Sequence, residues 1–146
     1  MEAGNCIFNG IVDIQRLQTG CIRFSYVPVD SQTPRRFRCQ PDLEIKTQIA
    51  EAEEQQNTPL TPVERDAIRD RILEWLFPSF TSTQYGHHAY AQLSRTCPLL
   101  IKTGAEDSSE MGVFNFLKQP QREAHLRTAL DEYLRLGLEA GIIYVT

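Results

Sequence analysis

The sequence predicts an α+β fold: a short β-solenoid end, or an antiparallel sheet, built from the N-terminal third plus a C-terminal strand and covered by three to four helices. Three observations predict it. Short runs of apolar residues with a period of two fill the stretch from Cys6 to Pro28. Capped segments with helical spacing begin at Asp42. The chain finishes on Ile142-Ile143-Tyr144-Val145, whose β-branched and aromatic content suits a strand that ties the C-terminus into a sheet.

The opening runs are Cys6-Ile7-Phe8, Gly10 to Leu17, and Gly20 to Val27. Val12 and Ile14 stand between polar neighbours, and Ile22, Phe24 and Tyr26 are separated by Arg23 and Ser25, which is the alternation of a half-buried strand. Gly20-Cys21-Ile22 echoes Asn5-Cys6-Ile7 fifteen residues earlier, about the length of one turn of a narrow solenoid. Two echoes fall short of the roughly three turns such architectures need to bury their faces, so a meander packed on helices stands beside the solenoid end. In the solenoid reading, Met1 lies where an upstream rung was cut or where another subunit pairs, because a bare end is an open sheet edge.

Pro28 to Pro41 holds three prolines between its ends inclusive and an arginine cluster, and reads as a loop with one extended piece from Arg35 to Gln40. Asp42 is placed to cap a helix reaching about Gln55, with Leu43, Ile45, Ile49 and Ala52 on its apolar side. Thr61-Pro62-Val63-Glu64 combines a Thr cap, Pro in the first turn and Glu three residues on, a capping box that opens a helix bearing Ile68, Ile72, Trp75 and Leu76 on one stripe. Ala89 to Ser94 is read as about one helical turn, Pro98 to Lys102 as extended and buried, and Asp107 as the cap of a short helix containing Met111, Phe114 and Leu117. Pro120 opens the last long helix, where Leu126, Ala129, Leu130, Tyr133 and Leu134 form the stripe and Gly137 the stop.

At 146 residues with 41% hydrophobic content the chain is long enough for one core, so residues 1–146 are read as a single domain. Its parts are a β-rich stretch over 1–41, a mainly helical cap over 42–140 and a closing strand over 141–146. A net charge of -4 disfavours general attraction to nucleic acid or to a membrane surface. The absence of a signal-type N-terminus or an 18-residue apolar run predicts a cytoplasmic protein. Cys6, Cys21, Cys39 and Cys97 lack paired spacing and are read as buried thiols rather than metal ligands or disulfides.

Three groups of residues are candidates for function. Arg35, Arg36 and Arg38 surround Phe37, an arrangement suited to bidentate capture of phosphate or carboxylate; alternatively Arg36 and Arg38 lie in solvent or pair with acids while Phe37 joins the core. His87 and His88 sit between Tyr85 and Tyr90 and are weak candidates for proton transfer, since no carboxylate lies within ten residues on either side to orient an imidazole. Glu106, Asp107 and Glu110 form an acidic loop without the spacing of a calcium site, better explained by helix capping or by facing the arginines, within the chain or in a neighbouring copy. No P-loop, dinucleotide fingerprint, nucleophile elbow or zinc-protease motif occurs, and neither a metal nor a cofactor is expected.

Gln18 to Pro28 followed by Thr33 to Pro41 resembles the C-terminal region of large bacterial proteins in which repetitive β-rich sequence precedes the same block. Gly104-Ala105-Glu106-Asp107, Ser109 to Gly112, Pro120 to Glu123, Glu132 to Leu134 and Gly137-Leu138 are similar to the end of those chains. The resemblance implies that the opening strands are the last rungs of a β-helix and that the helices cap it. It implies no activity and no catalytic residues, the family being of unassigned function with occasional phage-tail-like labels.

These readings lead to a non-enzymatic assembly, scaffold or capping domain that meets a protein partner or itself. The alternative is a small enzyme or ligand-binding module with a pocket made by His87 or His88, an anchoring arginine, and Phe80, Tyr85, Tyr90 and Phe114.

Overall fold

The computed structural model describes residues 1–143. The chain is mixed helix and strand: β1 (Glu2–Gly4), β2 (Cys21–Arg23), β3 (Arg35–Phe37), α1 (Asp42–Gln56), α2 (Pro62–Trp75), α3 (Leu99–Lys102), a 3-10 turn (Asn115–Leu117) and α4 (Gln119–Tyr133).

The strands form one sheet in the order β1-β2-β3, and both pairings are parallel, which excludes the antiparallel alternative. Glu2 stands opposite Cys21, and Cys21 opposite Arg35, so successive passes of the chain are offset by 19 and then 14 residues. No helix occupies either connection. The parallel pairing continues past the strand ends, with Ile7, Tyr26 and Gln40 in one file and Asp13 beside Gln32 in another. The chain thus runs three times past the same positions: residues 2–8, 21–27 and 35–41. The fifteen-residue echo of Cys6 and Cys21 is not the register, because Cys21 pairs with Glu2 and the counterpart of Cys6 is Ser25.

Each pass has the same local form. Asn5, Phe24 and Arg38 occupy equivalent places and all are left-handed, with φ of 56°, 47° and 50°. The kink turns the backbone, and the next residue is small and carries a thiol or hydroxyl: Cys6, Ser25 or Cys39. Each of these donates to the carbonyl two residues back: Cys6 Sγ to Gly4 O (3.1 Å), Ser25 Oγ to Arg23 O (2.7 Å) and Cys39 Sγ to Phe37 O (3.5 Å). That bond closes a small ring around the left-handed residue, and either a hydroxyl or a thiol can supply its donor.

Two cores result. Ile22, Val27 and Cys39 are buried together, with Ala3 and Phe8 packed against them. The second core joins the passes to the helices: Tyr26 packs with Ile72, Leu76, Cys97, Ile101 and Met111, and Ile7, Ile45 and Ile68 flank them. Burying an Ile or Leu side chain is worth roughly 1.5–3 kcal/mol, so Ile72, Leu76 and Ile101 make this junction a substantial part of folding.

The helix beginning at Pro62 has the predicted capping box, with Thr61 Oγ1 accepting from Glu64 N and the Glu64 carboxylate accepting from Thr61 N. Trp75, expected on its buried stripe, is 45% exposed, while Ile72 and Leu76 are buried. Asp42 does not cap α1; Pro41 holds the cap position with no side-chain bond, and Asp42 turns to Arg36 instead. Residues Leu99–Lys102, expected to be extended, form a turn of helix that buries Ile101. Ala89 to Ser94 is a turn and bridge region, with Leu93 bridged to Phe80 and Tyr90 to Ser82, rather than a helical turn. Asp107 caps no helix: it accepts from Ser109 N (3.1 Å) and Ser109 Oγ, and the 3-10 turn starts later, at Asn115. α4 begins with Pro as predicted, but none of its residues is buried and Tyr133 is 85% exposed. Its C-cap is Leu134; Gly137 adopts φ +86° only in the turn that follows. Gly141 to Ile143 form no strand, and the rest of the expected closing strand lies outside the described residues.

Candidate functional site

The arginine cluster begins as the strand Arg35–Phe37; Arg36 pairs with an acid and Arg38 is exposed, as one of the two readings expects, but Phe37 does not join the core. Arg36 points inward, where its guanidinium bonds to Asp42 Oδ2 (3.0 Å), Thr33 Oγ1 (2.7 Å) and the Ser31 carbonyl. Phe37 faces outward and is half-exposed. It meets Phe24 edge-on with ring centroids 5.7 Å apart, and the Arg38 guanidinium lies 5.8 Å and 6.0 Å from the two rings. Arg35 is exposed. Alternation holds within the strand: Arg36 stands in register with Ala3 and Ile22, so Arg35 and Phe37 fall on the exposed face. Arg36 therefore anchors β3 to α1, and the three guanidinium groups do not converge.

The acidic loop does not face these arginines. Asp107 pairs with Lys118 (3.2 Å), and Ser109 together with Lys118 holds its carboxyl at about 2, below the ordinary carboxylate range. Glu110 is buried, and desolvation pushes its carboxyl upward. The loop adjoins the first pass instead: Glu106 N donates to Asn5 Oδ1 (3.0 Å), and Gly112 N donates to Asn5 O (2.7 Å). β2 lies between β1 and the arginine strand.

His87 and His88 stack at 4.2 Å between ring centroids, and His87 Nδ1 accepts from Ala89 N (3.1 Å), a turn-stabilising bond. His88 borders an open cleft of about 640 Å³ that also meets Phe114, Arg95, Lys102, Glu110 and α4. Phe80 and Tyr90 border a different cleft of about 420 Å³, and Tyr85 lies outside both. None of Arg35, Arg36 and Arg38 lines either cleft, so the expected joining of histidines and that arginine cluster does not occur there. Among the described residues no three His, Cys, Asp or Glu side chains are placed to hold a metal ion.

The residues that sequence reasoning missed are main-chain groups. The bonds between the first and second passes recur between the second and third. Asn5 N donates to Arg23 O and Phe24 N to Phe37 O (3.1 and 3.0 Å). Tyr26 N donates to Cys6 O and Gln40 N to Ser25 O (both 2.9 Å). Phe8 N donates to Tyr26 O and Val27 N to Gln40 O (3.0 and 2.8 Å). In the further file, Gln32 N donates to Val12 O and Ile14 N to Gln32 O (2.8 and 3.0 Å).

The repetition fixes which groups are left over at each end. On the outer edge of the first pass they include Gly4 O, Ile7 N, Ile7 O, Asp13 N and Asp13 O, the counterparts of groups that the second pass uses to bind the first. Among the described residues, Ile7 and Asp13 main-chain groups make no hydrogen bond, and Gly4 O accepts the Cys6 thiol. At the opposite end the third pass is closed at Cys39 and Pro41. Pro41 stands where Phe8 and Val27 donate and has no N–H. Cys39 O, counterpart of Cys6 O and Ser25 O, accepts from Leu43 N (2.9 Å) in the first turn of α1.

The cleft bordered by Phe80 and Tyr90 lies against this open edge, for its walls include Cys6, Ile7, Asn9, Gly112 and Val113. Gly112 has φ +100°, and a side chain there would come within 3.1 Å of Ile7 Cδ1. No helix is long and apolar enough to cross a membrane among the described residues. The chain matches no family model, no curated protein and no solved structure.

Proposed function

We propose that this chain is a non-enzymatic assembly domain that ends a β-solenoid: its helices close the downstream end, and its first pass receives one further parallel rung. The resemblance to the C-terminal region of β-helix-type bacterial proteins belongs to the same proposal. The observation that carries it is the asymmetry of the two edges. The repeated bonding pattern is stopped by Pro41 and α1 at one end, while at the other the main-chain groups of Ile7 and Asp13 are left unmatched. An open edge of this kind is a template for another strand, and proteins that do not use one usually cover it.

The test is to lengthen the chain by one rung. A second copy of residues 2–20, placed ahead of Glu2, supplies a pass of the length already accommodated between the first and second passes. The proposal expects one cooperative unfolding transition at a higher midpoint than the parent chain, with the added segment resistant to protease. An added segment that is cleaved quickly and leaves the midpoint unchanged overturns it.

A further inference from the structure

Resting on that reading, we infer that the cleft above Ile7 is a side-chain pocket that selects the incoming strand: an extended segment, parallel to Cys6–Asn9, carrying a large apolar residue in the file of Ile7 and Tyr26. The argument begins with where that file points. Tyr26 is buried among Ile72, Leu76 and Met111, so residues in this file leave the passes towards the helical half, and Ile7 packs against the same core. The next place in the file, one strand beyond Ile7, falls in the cleft of about 420 Å³ whose walls include Phe80, Tyr90 and Val113.

The main chain sets the register of the occupant. Residue four of the incoming pass would donate to Gly4 O, and residue seven to Ile7 O, as Asn5 and Phe8 donate to the second pass. Its fifth carbonyl would accept from Ile7 N, as Cys6 O accepts from Tyr26 N. Its fifth N–H would reach the Cys6 thiol, as Cys6 N reaches Ser25 Oγ (3.0 Å). Its sixth N–H would face away. A second copy of this chain cannot supply such a parallel strand from its downstream edge, because Pro41 lacks the seventh-position N–H and Leu43 N already takes the fifth-position carbonyl of Cys39. The partner is therefore a coil-forming segment of another kind, with a small residue at position five and an Ile- or Tyr-sized residue at position six.

A capped synthetic peptide with the sequence of residues 2–9 is a direct probe, its binding followed through the amide signals of Ile7, Gly112 and Val113. Replacing its sixth-position Ile (the equivalent of Ile7) by Ala weakens binding about tenfold or more, whereas Tyr at that position is accepted. Methylating the amide nitrogen at position seven weakens binding by roughly fivefold or more, and methylating the one at position six does not. Equal binding of the Ile and Ala peptides, or equal loss from the two methylations, overturns the inference. If that occurs while the chain lengthened by one rung still gains stability, the pocket alone is refuted; if the lengthened chain gains nothing, the assembly reading falls as well.

Discussion

Leu43 N donates to Cys39 O at 2.9 Å, so the first turn of α1 takes the carbonyl that a fourth pass of the chain would need. Beside it Pro41 lacks the amide that Phe8 and Val27 use in the earlier passes. Helix and proline together end the parallel pairing, and the two ends of the sheet differ in what they can accept.

Arg36 and Arg35 are adjacent but differ in role, and substitution separates them. R36A removes three guanidinium bonds at a site 16% exposed and strands Asp42, so it costs about 2–4 kcal/mol. R35A, at an exposed place, stays within about 0.5 kcal/mol of the parent. Urea unfolding of both variants checks the contrast; similar losses would contradict the inward orientation of Arg36.

The small residue after each kink is predicted to tolerate exchange of hydroxyl for thiol. Ser25 is fully buried, accepts from Cys6 N and donates to Arg23 O. S25A leaves both groups without that partner and costs roughly 1–3 kcal/mol, while S25C keeps a donor and acceptor and costs under about 1.5 kcal/mol. Thermal unfolding of the two variants is the measurement.

Arg38 tests the left-handed file. At φ +50° a non-glycine residue is strained by roughly 1–2 kcal/mol, and R38G relieves this while losing ring contacts worth about 0.5–1 kcal/mol. R38G should therefore lie within about 1 kcal/mol of the parent. R38V adds a β-branched side chain to the same backbone and should cost about 2 kcal/mol or more. Equilibrium unfolding that ranks Val above Gly would contradict the conformation.

Glu110 gives the chain a pH dependence of opposite sign to that of Asp107. Desolvation raises the Glu110 carboxyl, so the folded chain holds this proton to higher pH than the unfolded chain. Its contribution is favourable below the unfolded value, about 4.3, and is lost as pH rises through the folded value. E110Q should melt higher than the parent at pH 7, with the difference closing near pH 4. Asp107, held at about 2, stabilises above the ordinary carboxylate range, and that stability is lost as pH falls towards 2. Melting curves of E110Q and D107N against pH separate the two.

The start of α2 is legible because its signals are local: Thr61, Pro62 and Glu64 sit within one turn and specify it. The parallel passes were only half legible. Alternation around Ile22 and Tyr26 is plain, but Asn5 is the one residue of its file that is common at positive φ; nothing in the sequence marks Phe24 or Arg38. Unequal offsets of 19 and 14 residues hid the period, and Cys21 offered a false match to Cys6. The signal that aligns the passes is the file Cys6, Ser25, Cys39, each following a kink. Pro98 to Lys102 was misread because a run of Leu99, Leu100 and Ile101 carries no periodicity that separates strand from helical turn. An open first edge was foreseeable in kind; which amides it offers depended on the register.

Amide hydrogen exchange tests the central claim most directly, comparing the parent chain with the chain lengthened by one rung. In the parent, Ile7 and Asp13 amides should exchange fast while Tyr26, Gln32 and Gln40, their bonded counterparts, exchange slowly. In the lengthened chain Ile7 and Asp13 should slow towards the rates of those counterparts. Ile7 and Asp13 amides already slow in the parent, or unchanged by the added rung, would contradict the account.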